Sequence, residues 1–107
     1  MAVEFWTIEE VKARFRVSDD FIAELEAEEI VVCVQHPERK VRALSVYDTE
    51  KVRLASILVN EMGVNLPGVE VILHMRSNML RMRAQVDTIL EHVAQEMRKR
   101  FEDKEGS

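Results

Sequence analysis

Thr7-Ile8-Glu9-Glu10-Val11-Lys12-Ala13-Arg14-Phe15-Arg16-Val17-Ser18-Asp19-Asp20-Phe21-Ile22-Ala23-Glu24-Leu25 is the stretch whose reading decides the fold. Thr7 and Glu10 stand at capping-box spacing, so hydroxyl and carboxylate can each satisfy a free backbone N–H where a helix begins. Ile8, Val11 and Phe15 recur at i, i+3 and i+7, one face of that helix. Arg16 and Val17 make a turn. Ser18 caps a second helix, with Asp19 and Asp20 in its first turn, where the helix dipole favours anions. Phe21, Ile22 and Leu25 supply its buried face. Two short helices joined by so short a turn predict a helix-turn-helix.

Downstream, Val31, Val32 and Val34 are β-branched and predict a strand. Gln35 to Arg42 is polar, contains Pro37 and reads as a turn, and Val41 to Tyr47 returns as a second strand. A hairpin in this position is a wing. Asp48 is expected to cap a third helix with Val52, Leu54, Ala55, Leu58, Val59 and Met62 as its apolar positions, ended by Gly63 in a left-handed C-cap. Asn65-Leu66-Pro67-Gly68 restarts the chain, since proline is tolerated in a first turn. Nothing then breaks a helix before Gly106. Met75, Met79, Met82, Val86, Ile89 and Val93 follow a 4-3-4-3-4 spacing, a heptad seam that predicts a homodimer interface. Met97 and Phe101 continue in steps of four, so the register drifts. The expected architecture is mainly α: a winged helix-turn-helix over 1–63, a long dimerisation helix over 64–102 and a frayed tail over 103–107.

The chain has 107 residues, 47% of them hydrophobic, which suits one domain with one core. Twenty acidic residues against 15 basic leave a net charge of -5, which disfavours general affinity for nucleic acid but leaves room for a local basic patch. The single cysteine, Cys33, precludes an internal disulfide and a multi-cysteine zinc site. It is expected to be a small core residue of the valine-rich strand. The apolar run Ile30 to Val34 is too short to span a membrane, and Met1-Ala2-Val3-Glu4 lacks the features of a signal peptide. A cytoplasmic protein is expected. Glu70 with His74, and His92 with Glu96, are two-residue pairs and make no metal site. No nucleophile–base pair or phosphate loop is present, so neither an enzyme nor a cofactor is expected. His36 is expected to be solvated in the wing turn, and Trp6 and Tyr47 to complete the core.

Four segments carry a family resemblance: Phe5-Trp6-Thr7-Ile8-Glu9-Glu10-Val11, Val17-Ser18, Val46-Tyr47-Asp48, and Gly63-Val64-Asn65-Leu66-Pro67-Gly68-Val69-Glu70-Val71-Ile72-Leu73. Their order resembles the MerR superfamily. The last segment is similar to an element of HspR-type heat-shock repressors and of CbpM-like chaperone modulators. The resemblance extends to about Arg98 and implies a winged helix-turn-helix on a helical dimer without enzymatic activity. Where MerR activators carry an Arg and a Tyr that approach the DNA backbone, this chain has Ala23 and Glu24, and Arg16 replaces the glycine of the turn.

Charge bears on the choice of partner. Between Ser18 and Ile30 stand Asp19, Asp20, Glu24, Glu26, Glu28 and Glu29, with no Lys or Arg. DNA affinity comes largely from neutralised phosphates and released counterions, so this helix has the wrong sign for it. CbpM-like modulators bind the J-domain of a DnaJ/CbpA-type co-chaperone, whose basic helix engages Hsp70. The resemblance therefore implies inhibition by occlusion, with Asp19, Asp20, Glu24 and Glu28 as contacts. Spacing by four puts Asp20, Glu24 and Glu28 on one face. The alternative is a DNA-binding transcription regulator of MerR/HspR type, whose phosphate contacts would be Arg16, Arg39, Lys40 and Arg42. The plainer reading of the wing cations is a solvated hairpin tip, and charge runs are commonly solvated faces.

Overall fold

The computed structural model describes residues 4–105. The chain is mainly helical, with a small three-stranded antiparallel sheet and a long C-terminal helix. In order, the elements are β1 (Phe5–Thr7), α1 (Ile8–Phe15), α2 (Asp19–Ala27), β2 (Val34–Gln35), β3 (Arg42–Ser45), α3 (Val46–Ser56), a π-helical turn (Ile57–Glu61) and α4 (Leu66–Glu105). The chain divides into two compact units, Met1–Leu73 and His74–Ser107.

Local chemistry sets the helix boundaries in the first unit. The Thr7 hydroxyl accepts from the Glu10 N–H at 3.1 Å, and the Glu10 carboxylate accepts from the Thr7 N–H at 3.4 Å, which closes the expected capping box. Ser18 Oγ accepts from the Phe21 N–H at 3.1 Å and starts α2. The end of α2 is a Schellman turn: the Ile30 N–H reaches the Leu25 carbonyl at 2.9 Å and the Glu29 N–H the Glu26 carbonyl at 3.0 Å. Val31 also donates to Leu25, at 3.4 Å. These bonds explain why Val31 and Val32 lie outside any strand, contrary to their β-branched character. The Val31 N–H is committed to finishing a helix and the Val32 N–H to the Asp48 carboxylate, so of this segment only Val34 and Gln35 pair with β3.

The sheet has the order β1-β3-β2, with Trp6 opposite Leu44 and Val34 opposite Ala43. The strand β1 has no counterpart in the sequence reading, because three residues are too few to show alternation. The expected strand from Val41 to Tyr47 contracts to Arg42–Ser45, and the cap of α3 lies three residues before the expected one. Ser45, not Asp48, caps it: Ser45 Oγ accepts from the Asp48 N–H at 3.2 Å. The Asp48 carboxylate accepts instead from the Val32 N–H at 3.0 Å and pins the loop after α2. The early start also overturns the expectation for Tyr47. Buried positions on α3 are Thr49, Val52 and Ala55, and Tyr47 lies about 200° round the helix from Thr49. It is 75% exposed.

The core joins Val11, Ile22, Leu25, Ile30, Val31, Leu44, Val52, Ala55 and Val69, with Trp6 stacked on Phe15 at its margin. Val69 is fully buried and Leu73 packs against the core, so the start of α4 belongs to the first unit, which extends past residue 63. Gly63 has the left-handed φ of 69° expected of a helix stop, although Met62 just before it is exposed rather than apolar core. Asn65 Oδ1 then accepts from the Gly68 N–H at 2.9 Å and opens α4. A Cβ on Gly68 would stand 2.8 Å from Val64 Cγ1 and 3.0 Å from Asn65 Oδ1, so glycine is what lets the stop and the new start meet. The Thr49 hydroxyl is buried without a hydrogen-bond partner. Thr49→Val, which keeps the shape and removes the orphan, is expected to raise stability by about 1 kcal/mol in chemical unfolding.

The second unit is the rest of α4. From His74 to Asp103 every described side chain is exposed except Asn78, and the helix runs on through Glu105, beyond the residue 102 expected for its end. Of the tail expected over 103–107, Gly106 and Ser107 lie outside the described residues.

Candidate interaction surface

The six carboxylates of the second helix divide by their surroundings. Asp19 receives Lys12 Nζ at 3.0 Å, a bond from α1 to the start of α2. Glu26, half-buried, receives the Arg42 guanidinium from β3 at 2.8 Å. Asp20, Glu24, Glu28 and Glu29 are exposed, and among the described residues no ion pair reaches them. Asp20 and Glu24 are one turn apart on α2. Glu28 is the C-cap rather than a helical residue, so the expected face continues onto the end of the helix.

That end is unfavourable ground for anions. The last turn of α2 carries no basic residue, and the dipole presents partial negative charge there. Glu29 also holds a left-handed φ of 59°, a conformation that costs a residue with a Cβ roughly 1–2 kcal/mol. Glu29→Gly is expected to raise the melting temperature by about 4–8 °C, the equivalent of roughly 1 kcal/mol in a domain of this size, by relieving the backbone and removing one anion from the helix end.

Two basic residues of the hairpin, Arg39 and Arg42, are paired with carboxylates of the chain itself. Arg39 Nη1 bonds Glu10 Oε1 at 2.9 Å, and Arg42 bonds Glu26. Of the four cations expected to meet phosphate, only Arg16 and Lys40 are exposed without an ion pair among the described residues, both in left-handed conformations. His36 is not a solvated tip residue. It is half-buried, its Nδ1 accepts from the N–H groups of Glu38 and Arg39 at 3.1 Å each, and its ring meets Phe5 edge-on at 6.3 Å. It shapes the turn that delivers Arg39 to Glu10. An open groove of about 550 Å3 between the hairpin and the starts of α1 and α2 is lined by both signs, Glu9 and Asp19 against Arg39 and Arg42.

Cys33 sits beside the Glu26–Arg42 pair, outside any strand and only partly buried. Burial, then the Glu26 carboxylate, push its thiol above the ordinary value, so the thiolate is disfavoured. Glu26 is held low, first by the Cys33 thiol and then by Arg42. Glu10 is held low by Thr7, through the hydroxyl and then the backbone N–H, with smaller help from Arg39 and His36. Both carboxylates therefore support the fold above the ordinary value of 4.5, and that support is lost as pH falls through their lowered folded values. The double variant Glu10→Gln, Glu26→Gln is expected to show a flatter fall of melting temperature between about pH 5 and pH 2.

Among the described residues no group of three or more His, Cys, Asp or Glu could hold a metal ion, and no helix is long and apolar enough to cross a membrane. Fold and surface together define a mainly helical protein with a small antiparallel sheet and an uncompensated acidic edge on its second helix. Among known proteins, no family model, no curated protein and no solved structure matches the chain.

Proposed function

We propose that this chain is a non-catalytic regulator with a winged helix-turn-helix whose second helix binds the J-domain of a DnaJ/CbpA-type co-chaperone. Covering the basic helix of the J-domain would block its action on Hsp70. One observation carries the reading: Asp20, Glu24, Glu28 and Glu29 are exposed and without an ion pair among the described residues, while Arg39 and Arg42 are tied to Glu10 and Glu26. An electronegative surface repels phosphate and attracts a cationic protein. The carboxylates at the C-terminal end of α2 oppose the helix dipole, a cost in stability that a binding role would account for.

The second reading, a DNA-binding regulator of MerR/HspR type, rests on Arg16 and Lys40, the two of the four expected phosphate contacts that no ion pair of the described residues holds. A paired binding measurement separates the two. Purified J-domain and the DNA upstream of the chain's own coding sequence are titrated with the full chain across a salt series. Saturable J-domain binding with only weak DNA association is the expected result. Tight DNA binding lost steeply with salt, with no J-domain binding, would overturn the proposal.

A further inference from the structure

Tyr47 is 75% exposed and Val32 is 62% exposed. They are far apart in sequence, yet two bonds hold their segments together. The Val32 N–H donates to the Asp48 carboxylate at 3.0 Å, and Lys51 Nζ donates to the Ile30 carbonyl at 3.3 Å. At about 100° per residue, Tyr47 lies about 40° from Lys51 and about 100° from Asp48 round α3, so it stands on the side of α3 that meets residues 30–32. Leu54, half-buried, continues that side for two turns. Glu28 and Glu29 come just before this loop, exposed and without an ion pair among the described residues. The apolar patch therefore adjoins the C-terminal end of the acidic row on α2. Exposed carboxylates steer and orient a partner but hold it weakly, because water and salt screen each pair. Stable interfaces are held by a few side chains, tyrosine prominent among them, that bury a large ring against the partner.

We infer that Tyr47, with Val32 beside it, is the apolar anchor of the surface whose charge α2 supplies, and that it takes a cationic segment carrying a large apolar side chain just beyond the end of its basic stretch. The charges select this occupant: a patch bordered by uncompensated carboxylates repels an acidic or phosphate-bearing partner and admits a cationic one. The geometry orders it. From Asp20 to Glu28 is about 12 Å along α2, from eight residues at 1.5 Å, so the partner's cations cover a similar length and its apolar residue follows at the Glu28 end. The inference rests on the reading of α2 as the J-domain contact, and adds where the affinity resides.

Association and dissociation rates of purified J-domain on the full chain, measured by biolayer interferometry across a salt series, test it. Tyr47→Ala is expected to speed dissociation by about 30-fold and to leave association and its salt dependence unchanged. Tyr47→Phe, which keeps the ring, should stay within about 3-fold of the unaltered chain. Val32→Ser, on the other wall of the patch, should speed dissociation by about 5-fold and provides a second variant should Tyr47→Ala lower the melting temperature. Charge reversal of Asp20, Glu24 and Glu28 should differ in kind, slowing association and flattening its salt dependence. Dissociation of folded Tyr47→Ala or Val32→Ser at the rate of the unaltered chain would overturn the inference and leave α2 as the contact. Absence of J-domain binding by the unaltered chain would overturn both.

Discussion

Reversing Asp20, Glu24 and Glu28 to lysine is expected to weaken J-domain binding by about 100-fold or more, measured by calorimetry at moderate salt. Exposed ion pairs contribute up to roughly 1 kcal/mol each, so losing three attractive pairs accounts for about 3 kcal/mol, which is close to that factor. Repulsion from the new lysines adds to it. The fold is not expected to suffer: all three side chains are exposed, and no ion pair of the described residues is broken. Glu28→Lys places a cation at a helix C-terminus, which is favourable, and Asp20→Lys places one in the first turn, which is unfavourable, so the two effects offset and the melting temperature should change little. Binding is then lost without loss of stability, an outcome that a merely solvated acidic face would not produce. Unchanged affinity in a folded triple variant removes the basis for assigning α2 the contact.

Leu25→Ala is expected to cost about 2–5 kcal/mol in urea unfolding, a large share of the 5–15 kcal/mol that holds a typical domain. Leu25 is fully buried, and its carbonyl accepts from both Ile30 and Val31 as α2 ends. The side chain fills the junction of α2 with the core, and the backbone above it directs the chain toward β2. Removing the side chain leaves a cavity beneath the acidic surface. Loss of J-domain binding in this variant should follow loss of folding and disappear at low temperature where the domain is folded, unlike the charge reversal. A fall below about 1 kcal/mol would mean that the core collapses around the gap.

Much of the helical part was legible because its signals are local. The Thr7–Glu10 box, the Ser18 cap and the Gly63 stop each depend on residues within a few positions, and each stands where the sequence puts it. The heptad spacing of α4 is likewise a property of one uninterrupted helix. The sheet was hard to read for the opposite reason. The strands β1 and β2 have three and two residues, too few to show alternation, and β1 exists through pairing with β3, a partner distant in sequence. Ser45 and Asp48 are both competent caps. Asp48 yielded to Ser45 because its carboxylate serves the Val32 N–H instead, a contact across 16 positions.

The surface charge divides in the same way. From the order of residues alone come the excess of carboxylates on α2, the absence of any cation there, and the heptad spacing of α4, since a helix places its side chains by a fixed rotation per residue. Which carboxylates remain uncompensated was decided by tertiary structure. Arg39 reaches Glu10 across 29 positions, and Arg42 reaches Glu26 across 16. Coulomb attraction depends on distance in space, so only folding could bring those arginines to Glu10 and Glu26 and leave Asp20, Glu24, Glu28 and Glu29 without an ion pair among the described residues.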